Sequence, residues 1–419
     1  MKKRPILLFW VLSILITILW TFENTDKIEK IKRELKKKLS INIKIDETQI
    51  EEIENKDFFN IEANAYDVSF RKIYSVKTKT SFLENNSKNN QLFDIKDLTI
   101  YTQSGYKINN NKQTKINLNK NFHLKYNGGI KTILTINNKK FALLTSEKTN
   151  CYYAAIVSLE TLLEIFKTEC LPDKEDNYDF NGLGSSFIVD ENYILLSLGT
   201  PTSKSSVINE LAQNKNSFFG KILKFNKKDF NEEELIPYIY SYGHRVPQGM
   251  TKISSTVFAV EHGPKGGDEI NLIDENKNYG WPISSYGTRY FYDNDGKAYK
   301  FNHMSNNFEE PLFAFVPSIG ISALNKCPII LEKYYRKNCL IGLSLYGNDL
   351  RQGKSLIIFL LNDSLKKIDS MEKIFLGPEY PLRHFVTNSN NELYEDVNGS
   401  IYVSVDNDGI FEIKFENFR

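Results

Sequence analysis

Net charge of one sign, closely spaced cysteine and histidine, and nucleotide or peptidase signatures are all missing from this chain of 419 residues. Lys and Arg number 54 against 52 Asp and Glu, a formal charge of +2, so there is no basic field to grip a nucleic-acid backbone. The four cysteines and five histidines never fall at metal-ligand spacing, which removes zinc sites of the Cys/His type. No Gly-x-Ser-x-Gly, no Gly-rich loop ending in Lys-Ser/Thr and no His-Glu-x-x-His occurs, excluding those hydrolase, phosphate-binding and zinc-peptidase templates. No motif repeats at a fixed period. The Asn-rich stretches Asn85 to Asn90 and Asn109 to Asn111 are too short for prion-like behaviour and read as surface loops.

What is present divides the chain in three. Lys2-Lys3-Arg4 precede an apolar run from Pro5 to Phe22, so residues 1–25 read as a membrane anchor or export signal. No small-x-small cleavage pattern follows Trp20, which favours an uncleaved transmembrane anchor with its basic end in the cytoplasm; a cleaved signal is the alternative. Either places the rest in the cell envelope, periplasmic or secreted. Residues 26–65 read as a charged stalk, with Ile28, Ile31 and Leu35 on one helical face. From Tyr66 to residue 419, short Val/Ile/Tyr/Phe-rich runs alternate with Asn, Lys, Asp and Gly clusters, the spacing of an all-β propeller, sandwich or barrel.

Export implies an oxidising compartment. Cys151 and Cys170 flank two strand-like runs whose midpoint is Glu160-Thr161, so a hairpin there sets the two sulfurs opposite each other. Cys327 and Cys339 bracket a similar excursion. Two disulfides and four buried thiols are both open readings.

The densest functional text is Glu261-His262-Gly263-Pro264-Lys265-Gly266-Gly267-Asp268-Glu269-Ile270-Asn271, followed by Asn278-Tyr279-Gly280-Trp281-Pro282 and preceded by Gly243-His244-Arg245-Val246-Pro247-Gln248-Gly249. Small residues let a turn present carbonyls at close range, and carboxylates beside them suit a hard cation such as calcium. These two motifs resemble the signature of the soluble glucose and aldose sugar dehydrogenases that use pyrroloquinoline quinone. Weaker echoes run to the C-terminus through Val316-Pro317-Ser318-Ile319-Gly320 and Leu382-Arg383, while almost none precede residue 120. The resemblance implies one six-bladed β-propeller over residues 66–419 and a sugar or related polyhydroxy substrate. It also implies pyrroloquinoline quinone and calcium as cofactors, with an electron acceptor as partner.

Carried over by motif, Arg245 and Arg383 would hold the cofactor, the carbonyls of Gly263 and Pro264 would bind the calcium beside it, and Asp268, Glu269 and Tyr279 would form a second calcium region. Surface ion pairing is the structural alternative for the two arginines. Three positions depart from the family pattern. The family's catalytic histidine falls on Gly182, or on Asn181 if the gap moves, within Asn181-Gly182-Leu183-Gly184, and neither side chain is a base near neutral pH. Val246 stands where an asparagine is expected and Tyr346 where a lysine is. His384, next to Arg383, and Asp179 are substitute bases, whereas His244 and His262 read as structural. The alternative to a dehydrogenase is a propeller that lost catalysis and binds a glycan or an envelope protein.

Overall fold

The computed structural model describes residues 58–62, 65–86, 95–172, 178–201, 206–231, 234–289, 299, 303–345, 355–376 and 381–419. All of these belong to one compact unit, Ile50–Arg419. The anchor, the stalk as far as residue 57 and Tyr346 lie outside the described residues. Among the described residues no helix is long and apolar enough to cross a membrane.

Strands β1 (Phe58–Glu62) and β2 (Asp67–Ser75) pair with each other. Five sheets follow in chain order. The first holds β3 (Thr80–Asn85), β4 (Leu98–Thr102), β5 (Tyr106–Asn109) and β6 (Lys112–Lys115). The second holds β7 (Ile130–Ile136), β8 (Lys139–Lys148), β9 (Cys151–Ser158) and β10 (Glu164–Lys167), with the short β11 (Leu171–Pro172) on β9. The third holds β12 (Phe187–Val189), β13 (Tyr193–Leu198), β14 (Lys221–Asn226) and β15 (Tyr238–Tyr242), and the fourth β16 (Pro247–Ile253), β17 (Thr256–Glu261), β18 (Asp268–Ile273) and β19 (Phe313–Phe315). The fifth holds β20 (Ile321–Lys326), β21 (Cys339–Ser344), β22 (Ser355–Leu361) and β23 (Ile368–Phe375). In the sixth, β24 (Leu382–Phe385), β25 (Ile401–Val405) and β26 (Gly409–Glu416) are joined by β2 and β1 from the other end of the chain.

This is a six-bladed all-β propeller. Each blade packs against two neighbours, so its middle strands are covered on both faces and their apolar runs are continuous rather than alternating. All six residues of β21 are buried, as are Tyr152 to Ser158 of β9. Outer strands face water on one side: Lys112–Lys115 holds no buried residue. Asparagine supplies the tight turns. Asn110 and Asn111 between β5 and β6, and Asn137 and Asn138 between β7 and β8, all have positive φ, the backbone that two-residue hairpins demand and asparagine tolerates.

The blades meet along their first strands, with β12, β16, β20, β24, β3 and β7 following one another round the axis. The loop after β24 crosses the far end of that channel. Asn391 Nδ2 donates to Phe187 O at 2.8 Å and Asn391 O accepts from Asn325 Nδ2 at 3.2 Å, linking blade six to blades three and five.

Both candidate cysteine pairs are disulfides, Cys151–Cys170 and Cys327–Cys339. The second bracket encloses a helix, α2 after the short α1 (Ser206–Glu210), rather than a strand pair. In α2 (Ile329–Tyr335) Leu331 is buried while Ile330, Tyr334 and Tyr335 pack on the same core, a helical period that overrides the β-rich composition. Strand β1 begins inside the segment read as stalk, because its pairing with β2 extends the closing blade outward.

Candidate functional site

The entry ends of the six first strands surround one cavity of ≈ 410 Å³ on the propeller axis. Every blade contributes to its wall, since loops from all six converge on the axis at this end. Arg245, Val246, Gly263, Pro264, Asp268, Gly182, Arg383 and His384 all line it, so residues as far apart in the chain as Gly182 and His384 share one surface. Glu269 and Tyr279 do not; they line a void of ≈ 20 Å³ behind the Gly263-Pro264 turn.

Arg245 is held from three sides. Its backbone N–H donates to Glu261 Oε2 at 2.9 Å, its Nη1 donates to His262 O at 2.9 Å and Gly263 O at 2.7 Å, and its guanidinium lies 5.1 Å from the Trp281 ring centroid. Glu261 in turn accepts from His244 Nδ1 at 2.6 Å, and His244 Nε2 meets Ser241 Oγ at 2.8 Å. This Ser-His-Glu chain is sealed from solvent, with Ser241 and His244 wholly buried. It is a brace for Arg245 and not a nucleophile. Burial raises the Glu261 carboxyl, but the charge and hydrogen bond of His244 outweigh it and hold the group below the usual range. Arg383 forks onto Asp406 Oδ2 at 3.0 and 2.6 Å. Neither arginine is an outward-facing surface ion pair.

Asp268 and Glu269 do not form one cation site. They are adjacent on a strand and therefore point to opposite faces. Asp268 accepts the amides of Gly263 (3.0 Å), Ile319 (3.0 Å), Gly320 (2.6 Å) and Ile321 (3.2 Å), so backbone N–H groups satisfy its oxygens and tie blade four to blade five. Glu269 sits opposite Glu261 in the β17–β18 register, with Asn271 Nδ2 3.3 Å from each. Burial and then the Glu261 charge push its carboxyl up to about 8. His303 Nε2 lies 3.7 Å from Glu269 Oε1. The Tyr279 phenol is committed, donating to Leu272 O at 2.7 Å, accepting from Asp274 N at 2.9 Å and stacking on His244. Among the described residues no group of three or more His, Cys, Asp or Glu side chains is arranged to hold a metal.

Gly182 cannot carry a side chain without backbone movement, because a Cβ there would stand 2.2 Å from Thr200 O. Asn181 is exposed on the cavity wall, and its N–H caps onto Asp179 Oδ1 at 3.0 Å. His384 is in the cavity, but burial and then Arg383 lower it to about 4. His262 also lines the cavity, its ring lowered by burial, with Arg245 and Arg383 opposing the pull of Asp268.

A family profile described as Glucose / Sorbosone dehydrogenase matches residues 145–409, more than half of the chain. The chain belongs to that family. It is 32% identical over 121 residues to aldose sugar dehydrogenase YliI of Escherichia coli, covering 26% of this chain and 31% of that protein. It is 35% identical over 91 residues to quinoprotein glucose dehydrogenase B of Acinetobacter calcoaceticus, covering 20% of this chain and 18% of that one. These matches span under a third of either relative's length. The fold resembles the PQQ-bound form of aldose sugar dehydrogenase from Streptomyces coelicolor at a TM-score of 0.56 and 18% identity, covering 84% of this chain and 100% of that one.

For this glucose/sorbosone dehydrogenase family member, the matched residues supply the cavity walls from Asp179 onward, at the entries of blades three to six. Lys79, Gln103 and Lys131 lie on the cavity wall yet precede the matched residues, and sequence reasoning missed all three. A lysine in an apolar strand start, Ile130-Lys131-Thr132, was the available signal.

Proposed function

We propose that this protein is a quinoprotein-type sugar dehydrogenase, oxidising an aldose or related polyhydroxy compound with pyrroloquinoline quinone bound in the axial cavity. The convergence of Arg245 and Arg383 on that cavity carries the reading. Four buried polar atoms without a partner, Arg245 Nε, His262 Nε2, Ser318 Oγ and Asp406 Oδ1, belong to residues on or beside its wall. Buried polar groups are rarely left unpaired without a reason, and a planar tricarboxylate with ring heteroatoms is the kind of ligand that would pair them. The volume is within the range of cofactor sites. Arg245 and Arg383 would hold the cofactor's anionic groups, and the cofactor when bound supplies the hydride acceptor.

Calcium fits less completely. The Gly263 carbonyl already faces a cation, the Arg245 guanidinium, and Asp268 is saturated by amides. The Gly263 and Pro264 carbonyls remain the ligands of the calcium beside the cofactor in this reading, and Glu269, whose raised carboxyl a cation would relieve, remains the carboxylate of the second calcium region. The two disulfides support an oxidising compartment outside the cytoplasm, with the N-terminal segment as membrane anchor and an electron acceptor in the envelope.

The Asn181–Gly184 turn, which holds no base, favours a second reading as a non-catalytic glycan- or protein-binding propeller. Purified protein given pyrroloquinoline quinone, calcium and D-glucose or other aldoses distinguishes them. Cofactor uptake followed by sugar-dependent bleaching of the quinone absorbance is expected, and Arg383→Ala should weaken uptake at least tenfold, the loss of one charge-assisted pair. Uptake without bleaching would select the second reading, and no uptake would remove the first.

A further inference from the structure

Sugar oxidation requires a group that accepts the hydroxyl proton as hydride leaves. The turn that carries this group in the resembled family offers only Asn181 and a glycine. His384 is a weak base in its buried setting, and His262 is crowded by two guanidinium groups. We propose that Lys131 is the proton acceptor of this site, its amine taking the proton of the reacting sugar hydroxyl. The proposal rests on reading the cavity as a sugar dehydrogenase site.

Its placement is the main argument. Lys131 opens β7, lines the same cavity as Arg245 and Arg383, and is 9% exposed. Nζ donates to Asn127 O at 2.7 Å. Asn127 Nδ2 donates to Asp179 Oδ1 at 3.1 Å, and that carboxylate caps the Asn181 turn. A continuous hydrogen-bonded bridge therefore fixes the amine beside the turn that lacks its base. Gln103 Nε2 donates to the same Asn127 carbonyl at 2.8 Å and to Gly128 O at 2.7 Å, so the loop under Lys131 is pinned from blade one as well.

The charged groups acting on the amine are Asp179, which favours its protonation, and Lys79, which opposes it. Burial is larger than either and brings Lys131 down to about 7, so near neutrality a free lone pair is available without a large cost. In the step, the hydroxyl proton passes to Nζ and the carbon-bound hydrogen leaves with its electron pair to the quinone oxidant. The carbonyl forms between that carbon and its oxygen, and the ammonium later returns its proton to solvent.

The test uses full-length protein with pyrroloquinoline quinone, calcium and D-glucose, comparing wild type with Lys131→Met and Lys131→Arg. Both variants should bind the quinone, lose about a hundredfold in kcat, and lack the rise in rate that wild type shows between about pH 6 and 8. Arginine keeps the charge but cannot give up its proton, so its failure separates proton transfer from charge. Independently of turnover, reductive methylation with 13C-formaldehyde should show one lysine resonance titrating near neutrality and absent from Lys131→Arg. Unchanged kcat and pH profile in either variant, or a Lys131 resonance titrating with the surface lysines, would overturn the proposal while leaving the site reading intact. Wild type that takes up no quinone removes both.

Discussion

Histidine 123 shows how a side chain without sequence context acquires one in the fold. Its ring lies 5.1 Å from Tyr152 and 5.4 Å from Phe180, and neither ring nitrogen has a hydrogen-bond partner. Burial lowers it to about 4, Lys125 and Lys131 adding to the effect against Glu147. The folded pKa is below the unfolded value, so the unfolded chain binds the extra proton and stability is lost as pH falls from about 6.5 through about 4. His123→Phe keeps an aromatic ring and removes the titration. Thermal melts from pH 7 to pH 4 should show a shallower acid limb in the variant; parallel limbs would place the acid sensitivity elsewhere. Gly182 teaches the converse lesson. Motif alignment marks it as the lost catalytic position, yet the Thr200 carbonyl 2.2 Å from its would-be Cβ shows a backbone that has closed over the place where a histidine would sit.

At the level of elements, the middle strands were legible and the edges were not. Tyr193 to Leu198 and Ile401 to Val405 are strands with the bounds their apolar runs suggest, because middle strands are apolar on both faces. The inner strand β12 is apolar but only three residues long, and the outer β6, with its polar Lys112–Lys115, carries no such signal. Strand β26 joins the two ends of the chain, and Phe411 on it stacks on Phe70 of β2 at 4.5 Å with an interplanar angle of 9°. Phe411→Ala should cost about 3 to 5 kcal/mol. Phe375→Ala, at an exposed strand end, should cost about 0.5 kcal/mol or less. Urea denaturation of both variants checks the contrast, and equal midpoints would mean the closing pair contributes no more than a surface ring.

For the whole molecule, closure has a thermodynamic consequence. Residues of β2 pair with residues of β26 that follow them by well over 300 positions, as in Phe70 with Ile413, so the sixth blade cannot form until both ends of the chain are in place. The ring should then unfold as one cooperative unit. Phe70→Asp buries a charge with no partner and should lower stability by about 4 kcal/mol, with circular dichroism and hydrogen exchange in blade four reporting the same shifted midpoint. Two separated transitions, with blade four unaffected, would show that closure does not couple the blades.

The chain's own text determined the family, the β composition, the two cysteine pairings as candidates and the arginines at 245 and 383, because each depends on residues near one another in sequence. Only the tertiary structure decided which of those residues share a surface. Asp268 and Glu269 read as a carboxylate pair, but the strand's alternation sent one into a nest of amides and the other against Glu261. His262 read as structural, yet it stands on the cavity wall. Lys131 read as nothing at all. Its meaning comes from the cavity it lines and from Asp179, which lies far along the chain and ties to Asn127 at the foot of its strand, and a contact between blades leaves no local mark on the sequence that makes it.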